Sequence, residues 1–168
     1  MLLHCVRDAA TGGDTAVLDH ELAWLLLRED DPALASALMQ ADALTIPARV
    51  DEEGVARPAA VGPVFSIEPG TGDLHMRYTA RTRSVAWKDD PATAAAAARL
   101  LALLDGDSGC VLRTRLLPGM GLVCNNVLHE RSAFVDDPAR PRLLYRARYV
   151  ERIAGTEGAW AGNETAGV

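Results

Sequence analysis

The sequence predicts an α+β fold in which an antiparallel sheet sandwich carries two or three helices on its outside. Two observations support this, and a third says which residues must fill the core. Short apolar runs recur along the whole chain and are separated by Gly, Pro and Asp turns. Asp30-Asp31-Pro32 and Asp89-Asp90-Pro91 each place an N-cap carboxylate and a first-turn proline before a Leu- or Ala-rich run. Aromatic residues make up 5% of the chain, so packing falls to Leu, Val and Ala.

Residues 1–6 are apolar and extended, with no polar lead-in, which predicts a core strand whose upstream neighbours are absent or come from another chain. Gly12-Gly13 makes a turn, and 16–19 form a short strand. A helix is expected over 19–28 with Leu22, Leu25 and Leu26 on one face, and a second over 32–40. Residues 43–50 read as extended and 51–57 as a polar turn. A hairpin comes next, with strands 61–67 and 74–80 joined by 69–73; His75, Arg77 and Thr79 fall on its wetter face. The third helix covers 92–104, with Leu100, Leu101 and Leu104 on its apolar face. Strands 111–117, 121–129 and 142–153 close the domain, and 154–168 read as a flexible C-terminal tail.

Composition excludes several classes. The chain has 168 residues, 49% hydrophobic and 24% charged, which suits one globular domain spanning 1–153. A formal charge of -6 argues against nucleic acid as a partner. No apolar run reaches the roughly 20 residues of a membrane span. Cys5, Cys110 and Cys124 form no CxxC pair and read as reduced thiols in a cytoplasmic protein.

Three features carry chemistry. Asn125-Asn126-Val127-Leu128-His129 sets a histidine at the end of an apolar run, a ligand-competent position that a hydrogen-bonded loop histidine would occupy equally well. Arg142, Arg146 and Arg148 share one face of a strand by their even spacing. Such a face is either solvated or built around an anion, and a guanidinium matches a carboxylate with two parallel bonds. Gly12-Gly13-Asp14-Thr15 is a glycine turn followed by a hydroxyl, which serves a hairpin or a bound acid group alike.

Together, Gly12-Gly13-Asp14-Thr15, Pro118-Gly119-Met120-Gly121-Leu122-Val123, Leu128-His129-Glu130-Arg131 with Phe134, and Arg142 with Arg146 resemble the C-terminal two-thirds of the TauD/TfdA-like dioxygenases. The stretch 72–81 also resembles that family's middle hairpin, so the likeness spans about 2–152. It implies a double-stranded β-helix (jelly-roll, cupin-like) core, incomplete at its N-terminus, that uses Fe(II) and 2-oxoglutarate to hydroxylate a small organic substrate. His129 matches the distal metal-ligating histidine. Arg142 matches the arginine for the far carboxylate of 2-oxoglutarate, Arg146 a second arginine on that strand, and Thr15 a hydroxyl for the same co-substrate. Arg140 competes with Arg142, which keeps the better strand phasing. The resemblance also implies that His129 and Arg142 face one cavity.

The sequence departs from the family at the proximal ligands. A His-x-Asp or His-x-Glu pair is expected before the glycine turn, yet His4, His20, His75 and His129 each lack an acid two residues on. Cys124 stands where the family often has Asn, so Asn125 and Asn126 receive no role. Two expectations remain: a truncated dioxygenase that is weakly active or inactive, with no catalytic residue assigned, or a non-catalytic half-domain. The half-domain would pair through exposed sheet edges with a second copy or a missing N-terminal fragment.

Overall fold

A computed structural model describes residues 1–51, 54–79, 85–106, 109–125, 127–149 and 152–153. The tail expected at 154–168 lies outside the described residues. The chain opens with β1 (Leu2–Arg7), β2 (Thr11–Gly12) and β3 (Thr15–Leu18), then α1 (His20–Asp30) and α2 (Pro32–Leu38). Short strands come next: β4 (Leu44–Ile46), β5 (Arg49–Asp51), β6 (Gly54–Arg57), β7 (Ala60–Gly62), β8 (Phe65–Ile67), β9 (Leu74–Met76) and β10 (Ala86–Trp87). After α3 (Pro91–Asp105) come β11 (Leu112–Thr114), β12 (Gly121–Val123), β13 (Leu128–Arg131), β14 (Phe134–Val135) and β15 (Leu143–Ala147). All strand pairings among the described residues are antiparallel, and with three helices the fold class is α+β. Among the described residues, no helix is long and apolar enough to cross a membrane.

The chain divides into two compact units. The first holds 1–14, 115–125 and the described residues from 132 onward. Its sheet runs β12-β1-β15, with Leu3 opposite both Leu122 and Arg146, and Cys5 opposite Leu144. Directly paired residues share a face. Leu3, Cys5, Leu122, Leu144 and Arg146 therefore line one face, and His4, Val123 and Tyr145 line the other. Cys5 is fully buried, whereas Val123 and Tyr145 are exposed. β2 pairs with β14, placing Gly12 opposite Phe134.

The second unit holds the described residues of 15–114 and 127–131 and contains the larger core. Leu18, Leu27, Leu38, Leu44, Phe65 and Leu100 are buried there together. Asp19 caps α1 by accepting from the Glu21 and Leu22 N–H groups, and His20 Nε2 lies 2.8 Å from the Leu74 carbonyl oxygen. That anchor turns His20, Ala23 and Leu27 inward. Of the leucines expected to share a face, Leu22 and Leu25 are exposed and Leu26 is partly buried against the core. On α3 the buried row is Thr93, Ala96, Leu100 and Leu103, so Leu101 is solvent-facing, contrary to expectation, and Leu104 packs at the core's margin. Thr93 can be buried because its N–H and hydroxyl both donate to the Asp90 carboxylate, at 2.9 and 2.7 Å.

Three strand expectations also change. The run 61–67 is two strands, β7 and β8, broken at Pro63, which has no N–H to give to a ladder. The run 121–129 is likewise two strands, β12 and β13, in different units. Gly54–Arg57, expected within a polar turn, pairs with Arg49–Asp51. Arg77 is not a wet-face residue: its half-buried guanidinium donates to the Leu44, Ala60 and Pro63 carbonyls at 2.6, 2.9 and 3.3 Å. Burial holds its pKa below the usual arginine value.

The rotation of α3 sets a direct comparison. Leu100→Ala should lower unfolding free energy by about 2–5 kcal/mol through cavity formation. Leu101→Ala should change it by less than about 1 kcal/mol, because its side chain is already in water. Urea unfolding of the two variants checks this, and equal losses would contradict the observed face.

Candidate functional site

The expected site residues fall on two strand systems, one in each unit. In the first unit, Arg142 directly precedes β15 and Arg146 lies within it. The Arg142 N–H donates to Asp136 Oδ1 at 2.9 Å, which ties the loop to the strand entry. Its half-buried guanidinium carbon sits 5.3 Å from the centroid of the Phe134 ring. Gly13, with φ +78°, passes close by: a Cβ there would stand 3.5 Å from Arg142 Nε. No ion pair engages Arg142 among the described residues. By contrast, Arg115 in the same unit is paired with Asp8 at 3.1 Å and also donates to the Ala9 carbonyl.

The neighbourhood of Arg142 is felt by Cys5. Burial raises the thiol pKa above its ordinary value and Asp8 adds to the rise, while the positive charge of Arg142 opposes it. A half-buried cation backed by an aromatic face, with no carboxylate partner among the described residues, is suited to an external carboxylate. Arg146 and Arg148 are exposed, and Arg148 lies just beyond the strand end. Arg140, the competing candidate, is exposed in a tight turn where its N–H donates to the Asp137 carbonyl at 3.0 Å.

In the second unit, β3 lies between β11 and β13. Thr15 pairs with Arg131 and Thr114, and Val17 pairs with His129 and Leu112. Thr15 and His129 therefore share a face, at diagonally adjacent positions. The opposite face carries Leu18 and Leu128, which pack into or against this unit's core. Thr15 and His129 are thus on the side of the sheet turned from that core. Thr15 is buried and His129 is exposed.

His129 Nδ1 lies 3.1 Å from the Val127 carbonyl oxygen. The carbonyl can only accept, so this contact selects the tautomer with the proton on Nδ1 and leaves the Nε2 lone pair open. A ligating histidine is commonly oriented in this way by a backbone carbonyl. Among the described residues, however, no three His, Cys, Asp or Glu side chains gather into a set that could hold a metal ion. One imidazole does not fix the coordination number and geometry that Fe(II) needs. These residues therefore do not fit a complete iron centre. Asn125 accepts from the Ile153 N–H at 2.8 Å, and Asn126 lies outside the described residues.

Sequence reasoning missed the contact of Phe134 and Gly13 with Arg142. Both residues stood in the motifs, but their meeting depends on the pairing of β2 with β14.

Comparisons with known proteins agree with the residue pattern. The profile of the family described as "Taurine catabolism dioxygenase TauD, TfdA family" matches residues 1–148. A uridine-5'-phosphate dioxygenase from Amycolatopsis sp is 36% identical over 155 residues, covering 89% of this chain and 54% of that protein. A protein of the same name from Streptomyces sp is 37% identical over 158 residues, covering 87% and 54%. The chain therefore spans about half the length of the curated relatives it matches. Among solved structures, an asparagine oxygenase in complex with Fe(II), 2S,3S-3-hydroxyasparagine and succinate aligns with TM-score 0.60 and 21% identity, covering 85% of this chain and 42% of that one. The non-heme iron oxygenase OrfP, in complex with Fe, succinate and (3S)-hydroxy-L-Arg, aligns with TM-score 0.53 and 16% identity, covering 85% and 41%. These two likenesses show the fold.

The geometry at His129 makes a measurable prediction. Long-range ¹H–¹⁵N spectra at pH above the imidazole range should show the Nδ1–H tautomer, the minority form in free histidine. An Nε2–H tautomer would mean that the Val127 carbonyl does not orient the ring.

Proposed function

Because the chain belongs to the TauD/TfdA family of dioxygenases, we propose that its arginine strand is the 2-oxoglutarate site of an Fe(II)- and 2-oxoglutarate-dependent dioxygenase. The observation that carries this reading is the Arg142 guanidinium, half-buried, lying over the Phe134 ring and without an ion-pair partner among the described residues. It would take the far carboxylate of 2-oxoglutarate through two parallel charge-assisted bonds. Arg146 would add positive charge on the same strand face, and the Thr15 hydroxyl would serve the same co-substrate. His129 would give its Nε2 to the metal. Family likeness also supports a double-stranded β-helix core.

Iron, when bound in such enzymes, supplies the oxidative chemistry that hydroxylates a C–H bond. His129 alone does not hold it, so no reaction step is assigned to this chain. For the substrate, the curated relatives favour a small phosphorylated nucleoside such as uridine-5'-phosphate. The buried thiols of Cys5 and Cys124 suit a reducing compartment such as the cytoplasm.

A second reading, a half-domain completed by another chain, is favoured by one feature. Val123, Tyr145, Tyr149 and Ile153 are exposed in the first unit, and Val123, Tyr149 and Ile153 line an open, mostly apolar hollow with Met1, Leu2 and Arg152. Apolar surface of this kind suits a covering partner.

Calorimetric titration of the metal-free chain with 2-oxoglutarate tests the leading reading. Binding should be measurable, and Arg142→Ala should weaken it by about 30-fold or more. With added Fe(II), succinate should not form above background. Unchanged affinity in Arg142→Ala would overturn the assignment, and enzymatic turnover would overturn the incomplete metal site.

A further inference from the structure

Arg142 has a built seat, and its construction starts at the double glycine. At Gly12, φ is +68°, and a Cβ would stand 2.3 Å from the Ala133 carbonyl oxygen. Only a glycine lets β2 approach β14 this closely. The approach is fastened by Gly13 N–H donating to the Ala133 carbonyl at 3.1 Å and Ala10 N–H donating to the Val135 carbonyl at 3.0 Å. Phe134 is thereby held opposite Gly12, beside Gly13. The Phe134 Cβ and Arg142 Nε both lie 3.5 Å from the point where a Gly13 Cβ would stand. The guanidinium then lies over the Phe134 ring.

This arrangement leaves the guanidinium with a defined surface but no hydrogen bond of its own among the described residues; the bond from Arg142 to Asp136 is made by the backbone N–H. A guanidinium is a planar fork, and two parallel bonds to a carboxylate form only when its plane is set. An aromatic face attracts the cation and restricts that plane without consuming any donor. A carboxylate partner in the same place would neutralise the charge and occupy the fork, as Asp8 does for Arg115.

We infer that Phe134 is a positioning residue, which fixes the plane of the Arg142 guanidinium for the far carboxylate of the co-substrate, in the slot beside the Gly12–Gly13 turn. The inference rests on the assignment of Arg142 to 2-oxoglutarate. Phe134 itself touches no reacting atom. Its effect passes through Arg142, so its loss should lower co-substrate affinity without removing the charge.

The test uses the full chain with Phe134→Leu, which keeps apolar bulk and removes the π face, and Phe134→Trp, which restores one. Two readouts are taken. The first is the Arg142 Nε–H resonance in ¹H–¹⁵N spectra, identified by its absence in Arg142→Ala. It should be displaced from the free-arginine position by the ring current, return to that position in Phe134→Leu, and be displaced again in Phe134→Trp. The second is 2-oxoglutarate affinity, which should fall about fivefold to tenfold in Phe134→Leu and recover in Phe134→Trp. If Arg142→Ala loses binding while Phe134→Leu does not, the positioning role is overturned and the co-substrate assignment stands. If Arg142→Ala binds as the parent does, the assignment itself falls, and the Nε–H resonance alone judges the slot. Equal losses in Leu and Trp variants, accompanied by a lowered melting temperature, would reduce Phe134 to a packing residue and overturn the inference.

Discussion

The placement of the arginine strand depends on β1 running between β12 and β15. Leu2, Leu3 and His4 pair on both sides, so the register that sets Leu3 opposite Arg146 is held by two neighbours at once. A slip of one residue would carry Arg146 to the face that now holds Tyr145. The register also shifts between Cys5 and Arg7, which leaves Leu143 opposite Arg7. Such irregularities bend a strand and re-aim the side chains beyond the bend. Here the irregularity falls where β15 begins, just after Arg142, and the positive charge of Arg142 opposes the rise of the Cys5 thiol pKa.

β3 has the matching role in the second unit. It is also a central strand, and its two pairings put Thr15 and His129 on one face while Leu18 and Leu128 anchor the other. An alternating strand separates a core side from a chemical side within a few residues, and so the histidine can be exposed without costing the core anything. The carbonyl of Val127 then orients a ring that the sheet only positions.

Much of this was legible locally. Asp31 and Asp90 cap helices in the structure as their Asp-Pro sequences imply, because a cap and its proline interact over one turn. The glycine turn at 12–13 and the hairpin joining β8 to β9 are local for the same reason. Helix faces were less legible. Leucines at 22, 25, 26 and 27 surround α1 too evenly for period alone to choose, and the choice is made by a carbonyl from Leu74, far along the chain. Pro63 marked the break between β7 and β8, but the apolar run on both sides masked it. For the candidate site, strand phasing separated Arg142 from Arg140, and the motif order named the family. The aromatic seat was not legible, because Phe134 and Arg142 meet through a pairing between β2 and β14 that no periodicity in either segment encodes.

Arg142 is, on this reading, a cation with no ion-pair partner among the described residues, prepared for a dicarboxylate. A crystal structure of the chain soaked with 2-oxoglutarate tests that most directly. The far carboxylate should make two parallel contacts with the Arg142 guanidinium, each near about 2.8 Å as charge-assisted bonds require, with the Phe134 ring still beneath it. A co-substrate bound elsewhere, or an Arg142 side chain turned to solvent while the ligand sits on Arg140, would contradict it.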